Sequence, residues 1–284
     1  MADRLHHPLP HAGAPRLDAG TLLRRTLDPR LVPRRAVAIV ALSIALAGAG
    51  AGAIAGEPVA GLLAGGALGC GLAWVSYVLL REVVEARAEV RELWGLTGVV
   101  VDGTPWPAPG GWALGAAALN RLLLEMSGRG CRTVVELGPG TSSIVLGRAR
   151  PDLHIVGLEH DARFVDTLSA SLRMHGLADY ELVHAPLVPQ AVSGQAVEWY
   201  DPAAMARLPE KIDVLIVDGP PNGRGTGARS PAWPVLRTRM APGGLVLVDD
   251  TDRPDERRML GAWATDGGLR VIADRRSFVL LEVA

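Results

Sequence analysis

Lysine is almost missing from this 284-residue chain: Lys211 is the only one, and arginine carries nearly all the basic charge. That skew reflects coding composition more than chemistry. The net charge of -1 leaves no global positive field, which argues against a nucleic-acid partner. Two cysteines, Cys70 and Cys131, stand in unrelated contexts and give no disulfide framework. Charge itself is absent from two long stretches, residues 36–56 and 58–80, with Glu57 alone between them. At 1.5 Å per residue each stretch makes a helix about 30 Å long, the thickness of a bilayer core. A signal peptide is a poor reading, because the first run starts late and a second follows at once.

What is present around these stretches gives them a direction. Arg24, Arg25, Arg30, Arg34 and Arg35 precede the first, and Arg81, Arg87 and Arg91 follow the second. The turn Gly56-Glu57-Pro58 carries no basic residue. A two-helix transmembrane hairpin is therefore expected, with both chain ends in the cytoplasm. Glycines at 48, 50, 52, 56, 61, 65, 66, 69 and 71 would let its helices approach closely. Residues 1–35 read as a basic, disordered cytoplasmic tail, and 81–105 as an amphipathic helix followed by a Pro/Gly/Trp-rich connector. Trp106 opens the remaining domain, 106–284.

Past that point apolar runs alternate with helical patterns. Strands are predicted near 132–137, 154–158, 180–184, 212–217 and 244–249. Helices are predicted near 113–127, 142–149, 161–175, 231–240 and 254–265. Two last apolar stretches, 269–274 and 277–283, flank Arg275-Arg276 as a terminal hairpin would. The fold class is α/β: a mostly parallel, Rossmann-like sheet of seven strands with helices on both faces. Ligands in such sheets bind at the carboxyl ends of the strands.

The first strand runs into Val134-Val135-Glu136-Leu137-Gly138-Pro139-Gly140-Thr141-Ser142-Ser143. Glycines admit a ligand close to the backbone, and the helix start beyond them offers unpaired N–H groups. A carboxylate at this point repels a pyrophosphate but suits a ligand with an amino group, a sulfonium and a ribose. Glu159, 23 residues beyond Glu136, ends the second strand, where an acid can hold a ribose diol. The alternative is that it caps the helix starting at Asp161. His184-Ala185 ends the third strand and could meet an adenine edge, or be an ordinary polar loop.

These motifs, ELGPGTSS, GLEHD, VDGPP and GGLVLVDD, resemble the class I S-adenosylmethionine-dependent methyltransferases over about residues 106–284. They look most like a bacterial branch with a Trp-Pro connector (Trp106-Pro107), APLVP after the third strand (Ala185 to Pro189) and WYDP (Trp199 to Pro202). The resemblance implies that Glu136, Gly138 and Gly140 line the methionine moiety and that Glu159, with His160 beside it, holds the ribose. Ser142 replaces the third glycine usual in that motif, yet can still donate to the ligand carboxylate.

On the acceptor side, Asp218 ends the fourth strand, and Asp249 and Asp250 end the fifth. Metal-dependent O-methyltransferases are similar here, with an Asp after the fourth strand and an acidic-amide pair after the fifth. The resemblance implies a Mg²⁺ site on Asp218, Asp249 and Asp250, with Asp218 and Asp249 as candidate catalytic residues. The alternative is that Asp249 to Asp252 cap the next helix and Asp218 acts without metal. Asp218-Gly219-Pro220-Pro221-Asn222 lacks the aromatic of an amide or base methyltransferase tetrad. Pro221 to Arg229 reads as a lid or a solvated loop, in which Arg224 and Arg229 could meet an anionic acceptor. Trp199 and Tyr200 suit either stacking on the ligand or burial.

The expected function is thus a membrane-tethered methyltransferase using S-adenosylmethionine on a hydroxyl of a lipid-linked or glycan-like acceptor. An NAD-dependent oxidoreductase is one alternative, but Ser143 stands where its third turn glycine is needed. A silent scaffold of the same fold at the membrane is another.

Overall fold

The computed structural model describes residues 42–44, 46–47, 53–54, 56–97, 114–221 and 227–284. They fall into two units, divided between Trp94 and Gly95. The tail 1–35, the connector around Trp106-Pro107 and Arg224 lie outside the described residues.

Helix α1 runs from Pro58 to Thr97, 40 residues without a break, and all but its last three residues belong to the first unit. Its segment Val59–Arg81 is long and apolar enough to cross a membrane, with a mean hydropathy of 1.7. Leu63, Leu68, Trp74 and Leu79 are 60–69% exposed, so its apolar side chains are covered by little of this chain. The hairpin expected from sequence is not reproduced as a pair. Among the described residues one helix meets the length and composition of a span, and most of the first stretch, 36–56, lies outside them. The amphipathic helix expected at 81–96 is helical and continues directly from the apolar span. No proline or glycine stands between Leu80 and Glu92, and the Ala/Glu/Arg/Val run there continues the same helix.

The second unit is built on a seven-stranded sheet. After α2 (Ala116–Met126) come β1 (Thr133–Leu137), α3 (Thr141–Ala149), β2 (His154–Glu159), α4 (Ala162–Met174) and β3 (Glu181–His184). A separate hairpin follows, β4 (Leu187–Val192) and β5 (Gln195–Tyr200), then the one-turn α5 (Pro202–Met205). The sheet resumes with β6 (Ile212–Val217), α6 (Ala232–Leu236) with a 3₁₀ turn at Arg237–Arg239, β7 (Met240–Asp249), α7 (Pro254–Asp266), β8 (Leu269–Asp274) and β9 (Phe278–Val283).

In space the order is β3-β2-β1-β6-β7-β9-β8. The first five are parallel, and β9 alone runs against both its neighbours. The chain winds outward from β1 through β2 to β3, then returns to β6 on the other side. That reversal between β1 and β6 is the switch point at which α/β sheets open a crevice at their strand ends. The seven sheet strands and the helices between them match the sequence expectation closely. The β4–β5 hairpin does not, because its half-exposed residues carry no strong alternation.

The core explains why β1 and β6 are nearly all apolar. Val135, Leu137, Val156, Leu158, Leu215, Val217, Val246 and Val248 share one buried cluster with Trp199, Tyr200, Trp233 and Trp263. Each large side chain so buried contributes about 1.5–3 kcal/mol. Trp199 and Tyr200 are thus structural: the indole is 1% exposed, the phenol 0%, and their rings meet edge to face at 4.9 Å.

Candidate functional site

Two of the strand-end turns touch backbone to backbone. Gly138 has φ +81°, and a Cβ there would come within 2.8 Å of the Gly219 nitrogen. A side chain at either glycine would push the tips of β1 and β6 apart, so the switch point is held closed at its base. Beside Gly140, by contrast, a Cβ would meet nothing within 4 Å. The backbone at the start of α3 is therefore open on the side where a ligand would approach.

Glu136 is fully buried. Tyr180 donates its hydroxyl to Glu136 Oε2 at 2.7 Å, and Ser143 Oγ lies 3.0 Å from the same phenol. Ser143 Oγ also accepts from the Gly140 N–H at 3.1 Å, which fixes the glycine turn. Tyr180 reaches across β2 over Gly157, where any Cβ would sit 2.3 Å from its hydroxyl. Burial pushes the Glu136 carboxyl up, opposed by the hydroxyls of Ser143, Tyr180 and Ser142. Glu136 Oε1 is buried with no hydrogen-bond partner among the described residues. Ser142 itself is buried, at 3% exposure.

Glu159 ends β2, next to the tip of β3. Its Oε1 accepts from the Asp161 N–H at 2.7 Å and pairs with His160 Nδ1 at 2.8 Å. Asp161 caps α4 with its own side chain through Arg163 N–H at 2.9 Å, and Glu159 joins it at the helix start through the Asp161 N–H, so part of the capping alternative is met. Glu159 stands opposite His184 in the β2–β3 register. The Ala185 N–H bonds the Glu159 carbonyl at 2.7 Å, and His184 Nε2 lies 3.3 Å from the His160 carbonyl. Glu159, His160, His184 and Ala185 are thus brought together, as expected.

Across the switch point, Asp218, Asp249 and Asp250 also meet. A carboxylate oxygen from each lies within 4.8 Å of the others. The capping alternative fails here, because α7 begins at Pro254 with no side-chain cap. Asp250 sits at φ +58°, a left-handed conformation that Asp tolerates, and this turns the chain away at the end of β7. Burial, then the charge of Asp250, lifts the Asp249 carboxyl to about 7. Asp218 is pushed up as well, by burial and then by Asp249.

One residue of this cluster was misread from sequence. Arg229 is 2% exposed, not a solvated lid residue. Its Nη2 donates to the Asp218 carbonyl at 2.7 Å, Asp250 Oδ2 at 2.9 Å and Asp218 Oδ1 at 3.2 Å. Nη1 donates to the Asp249 carbonyl at 3.3 Å. Arg253 Nη1 adds a second cation at 2.8 Å from Asp250 Oδ2. The three aspartates form a donor set of the kind a hard divalent cation uses, but a guanidinium already lies among them. The carboxylates therefore do not fit Mg²⁺ while Arg229 holds this position. The Tyr200 hydroxyl closes the floor, 2.8 Å from where a Gly219 Cβ would lie and with no partner among the described residues.

Sequence reasoning missed Tyr180 and the role of Arg229. Tyr180 lies 44 residues from Glu136, and no spacing rule connects them. Arg229 follows a glycine-rich segment that reads as a loop.

Residues 135–251 match a family model described as a methyltransferase domain. No curated protein matches the chain in sequence. Among solved structures it is similar to a precorrin-6y C5,15-methyltransferase from Geobacter metallireducens, at 13% identity and TM-score 0.48, covering 66% of this chain and 99% of that one. It is similar to an O-methyltransferase from Bacillus cereus, at 18% identity and TM-score 0.43, covering 63% and 84%. The O-methyltransferase TomG from Streptomyces achromogenes is a third, at 19% identity and TM-score 0.43, covering 61% and 82%. The fold is the α/β, Rossmann-like methyltransferase fold with a mostly parallel seven-stranded sheet. The antiparallel β9 and the matched domain count against the NAD-dependent alternative.

Proposed function

We propose that the chain is an S-adenosylmethionine-dependent methyltransferase acting on a hydroxyl of a membrane-associated or glycan-like acceptor. The observation that carries this reading is the placing of Glu136 and Glu159 on one side of the switch point and the Asp218–Asp249 pair on the other. S-adenosylmethionine, when bound, supplies an electrophilic methyl on a sulfonium. The open backbone beside Gly140 and the unpartnered Glu136 Oε1 suit its methionine end. Glu159, its orientation fixed by His160 and the Asp161 N–H, suits a ribose diol. Ser142 stands in the first turn of α3, and His184 and Ala185 flank the adenine side.

On the far side the acceptor hydroxyl loses its proton to the Asp218–Asp249 pair. Its oxygen takes the methyl as the carbon–sulfur bond breaks, and the electron pair stays on sulfur. A carboxyl near pH 7 is matched to that task, since it is substantially ionised yet basic enough to accept the proton. The exposed apolar surface of Val59–Arg81 supports a membrane tether, and the flanking arginines support cytoplasmic placement of the catalytic domain. A tethered enzyme meets acceptors that lie at the membrane, hence the lipid-linked or glycan class.

Calorimetric titration of the full chain with S-adenosylmethionine tests the donor half. Saturable binding weakened by Glu159→Ala is expected, and absence of binding to the intact chain would leave only the silent-scaffold reading. Transfer of labelled methyl into membrane lipid extracts, compared with soluble glycans, tests the acceptor half.

A further inference from the structure

We propose that Arg229 is a built-in counter-ion standing where a divalent cation would sit, so that the Asp218–Asp249–Asp250 cluster binds no Mg²⁺-type metal. The inference deepens the methyl-transfer reading, and only its catalytic consequence, transfer without added metal, rests on that reading.

One nitrogen, Nη2, reaches carboxylate oxygens of Asp218 and Asp250, which come from the ends of two neighbouring strands, β6 and β7. The same nitrogen and Nη1 also take the backbone carbonyls of Asp218 and Asp249. A planar fork that bridges two strand tips in this way does geometrically what a shared ion does in a metal site. The side chain is 3% exposed, so water does not compete for it.

Charge points the same way. Three carboxylates face two guanidiniums, Arg229 and Arg253, which leaves one formal negative charge. A small divalent ion gives up its hydration shell only for a dense set of anionic or carbonyl oxygens. Here Asp250 Oδ2 is already shared by both arginines, and Asp218 Oδ1 is taken. Burying an arginine is costly unless its hydrogen bonds are met; the carboxylates and the two strand-end carbonyls take both terminal nitrogens, while Nε has no partner among the described residues.

The placement is also built rather than incidental. The Ser230 carbonyl, next in the chain, accepts from Trp263 Nε1 at 3.1 Å, and Ser230 N–H bonds the Gly227 carbonyl at 2.9 Å. The indole on α7 thereby holds the segment that carries Arg229 against the sheet end. Arg229 is on these grounds a positioning residue, acting through Asp218 and Asp250 rather than on the acceptor.

Mn²⁺ is the probe, followed by electron paramagnetic resonance on the full chain in detergent, beside thermal unfolding with and without chelator. The wild-type chain is expected to bind no Mn²⁺ at millimolar concentration and to keep its melting temperature in excess chelator. Arg229→Ala is expected to melt lower, to gain Mn²⁺ binding, and to recover part of its melting temperature with guanidinium ion or Mn²⁺. Arg229→Lys should remain Mn²⁺-free, because it keeps a cation there. One Mn²⁺ per wild-type chain, lost in Asp250→Asn, would overturn the proposal. A folded Arg229→Ala chain that binds no Mn²⁺ would overturn the role given to the arginine. If Arg229→Ala does not fold, the wild-type arm still decides. No arm uses S-adenosylmethionine, so a failure of the titration described above sinks the methyl-transfer reading and leaves this one standing.

Discussion

The two sides of the switch point solve the same problem with opposite chemistry. Both bury carboxylates at the ends of parallel strands. At β1 and β2 the partners are mostly neutral: a phenol and two serines around Glu136, a backbone N–H and an imidazole around Glu159. At β6 and β7 the partner is a buried guanidinium, with a second at the rim. Neutral donors orient a carboxylate and leave its charge for a cationic ligand. A guanidinium cancels the charge and ties strand tips together. The β1–β2 side thus keeps its carboxylates among mostly neutral partners, as the proposed sulfonium donor requires, while the β6–β7 side is closed by the protein's own cation.

Breaking the closed side should cost the most. Arg229→Ala leaves buried carboxylates without their counter-ion, and a loss of about 3–5 kcal/mol in unfolding free energy is expected from denaturant titration. The same truncation on a site held by exposed pairs would cost about 1 kcal/mol or less. A small effect would therefore erase the contrast drawn between the two sides.

Breaking the open side should cost the fold less and hit the ligand. Glu159→Ala removes a charged hydrogen-bond acceptor, worth about 1.5–3 kcal/mol, or about 10- to 100-fold in donor affinity. Calorimetry would read it, beside a modest drop in the melting temperature of the unliganded chain, since the carboxylate also holds the Asp161 N–H and His160. A drop in stability without a drop in affinity would assign Glu159 to the fold alone.

Between these lies a pH signature confined to the aspartates. Asp249 titrates near 7 in the folded chain and near 4 when unfolded, so the native state holds an extra proton between those values. Unfolding releases it, and stability falls as pH rises from about 4 to 7, by at most about 1.4 kcal/mol per pH unit. Asp249→Asn should flatten that part of the curve. Methyl transfer in the wild type should fall as pH drops below about 7, when the base is protonated. An unchanged slope in the variant would move the titration elsewhere.

The smallest expected effect is Tyr180→Phe, which removes the phenol's hydrogen bonds to Glu136 and Ser143, about 1–2 kcal/mol by thermal unfolding. Without that donor the Glu136 carboxyl should rise further, making donor affinity more pH-dependent. If affinity stays flat with pH, Tyr180 serves packing only.

Much of this was legible in the sequence because it is local. Val134 to Ser143 spells a strand, a turn and a helix start within ten residues, and Asp218, Asp249 and Asp250 each follow an apolar run that can only be a buried strand. Strand-end rules then place them at one edge. The β4–β5 hairpin was not legible, as its half-exposed residues lack a period-two signal. That the span and the amphipathic helix after it form one element was not spelled out either, since a change from apolar to charged residues alters what a helix faces, not whether it continues.

What the sequence determined alone, then, is the order of elements, the acidic strand ends and an uncharged span of bilayer length. Short-range propensity and hydrophobic period encode those. What only the tertiary structure decided is how each carboxylate is compensated. Tyr180 reaches Glu136 over Gly157, and Arg229 enters the aspartate cluster from a segment outside the sheet. Such pairings join residues distant in the chain, and they depend on which strands become neighbours. Burial then makes them consequential, since a charge removed from water must find its partner inside the protein.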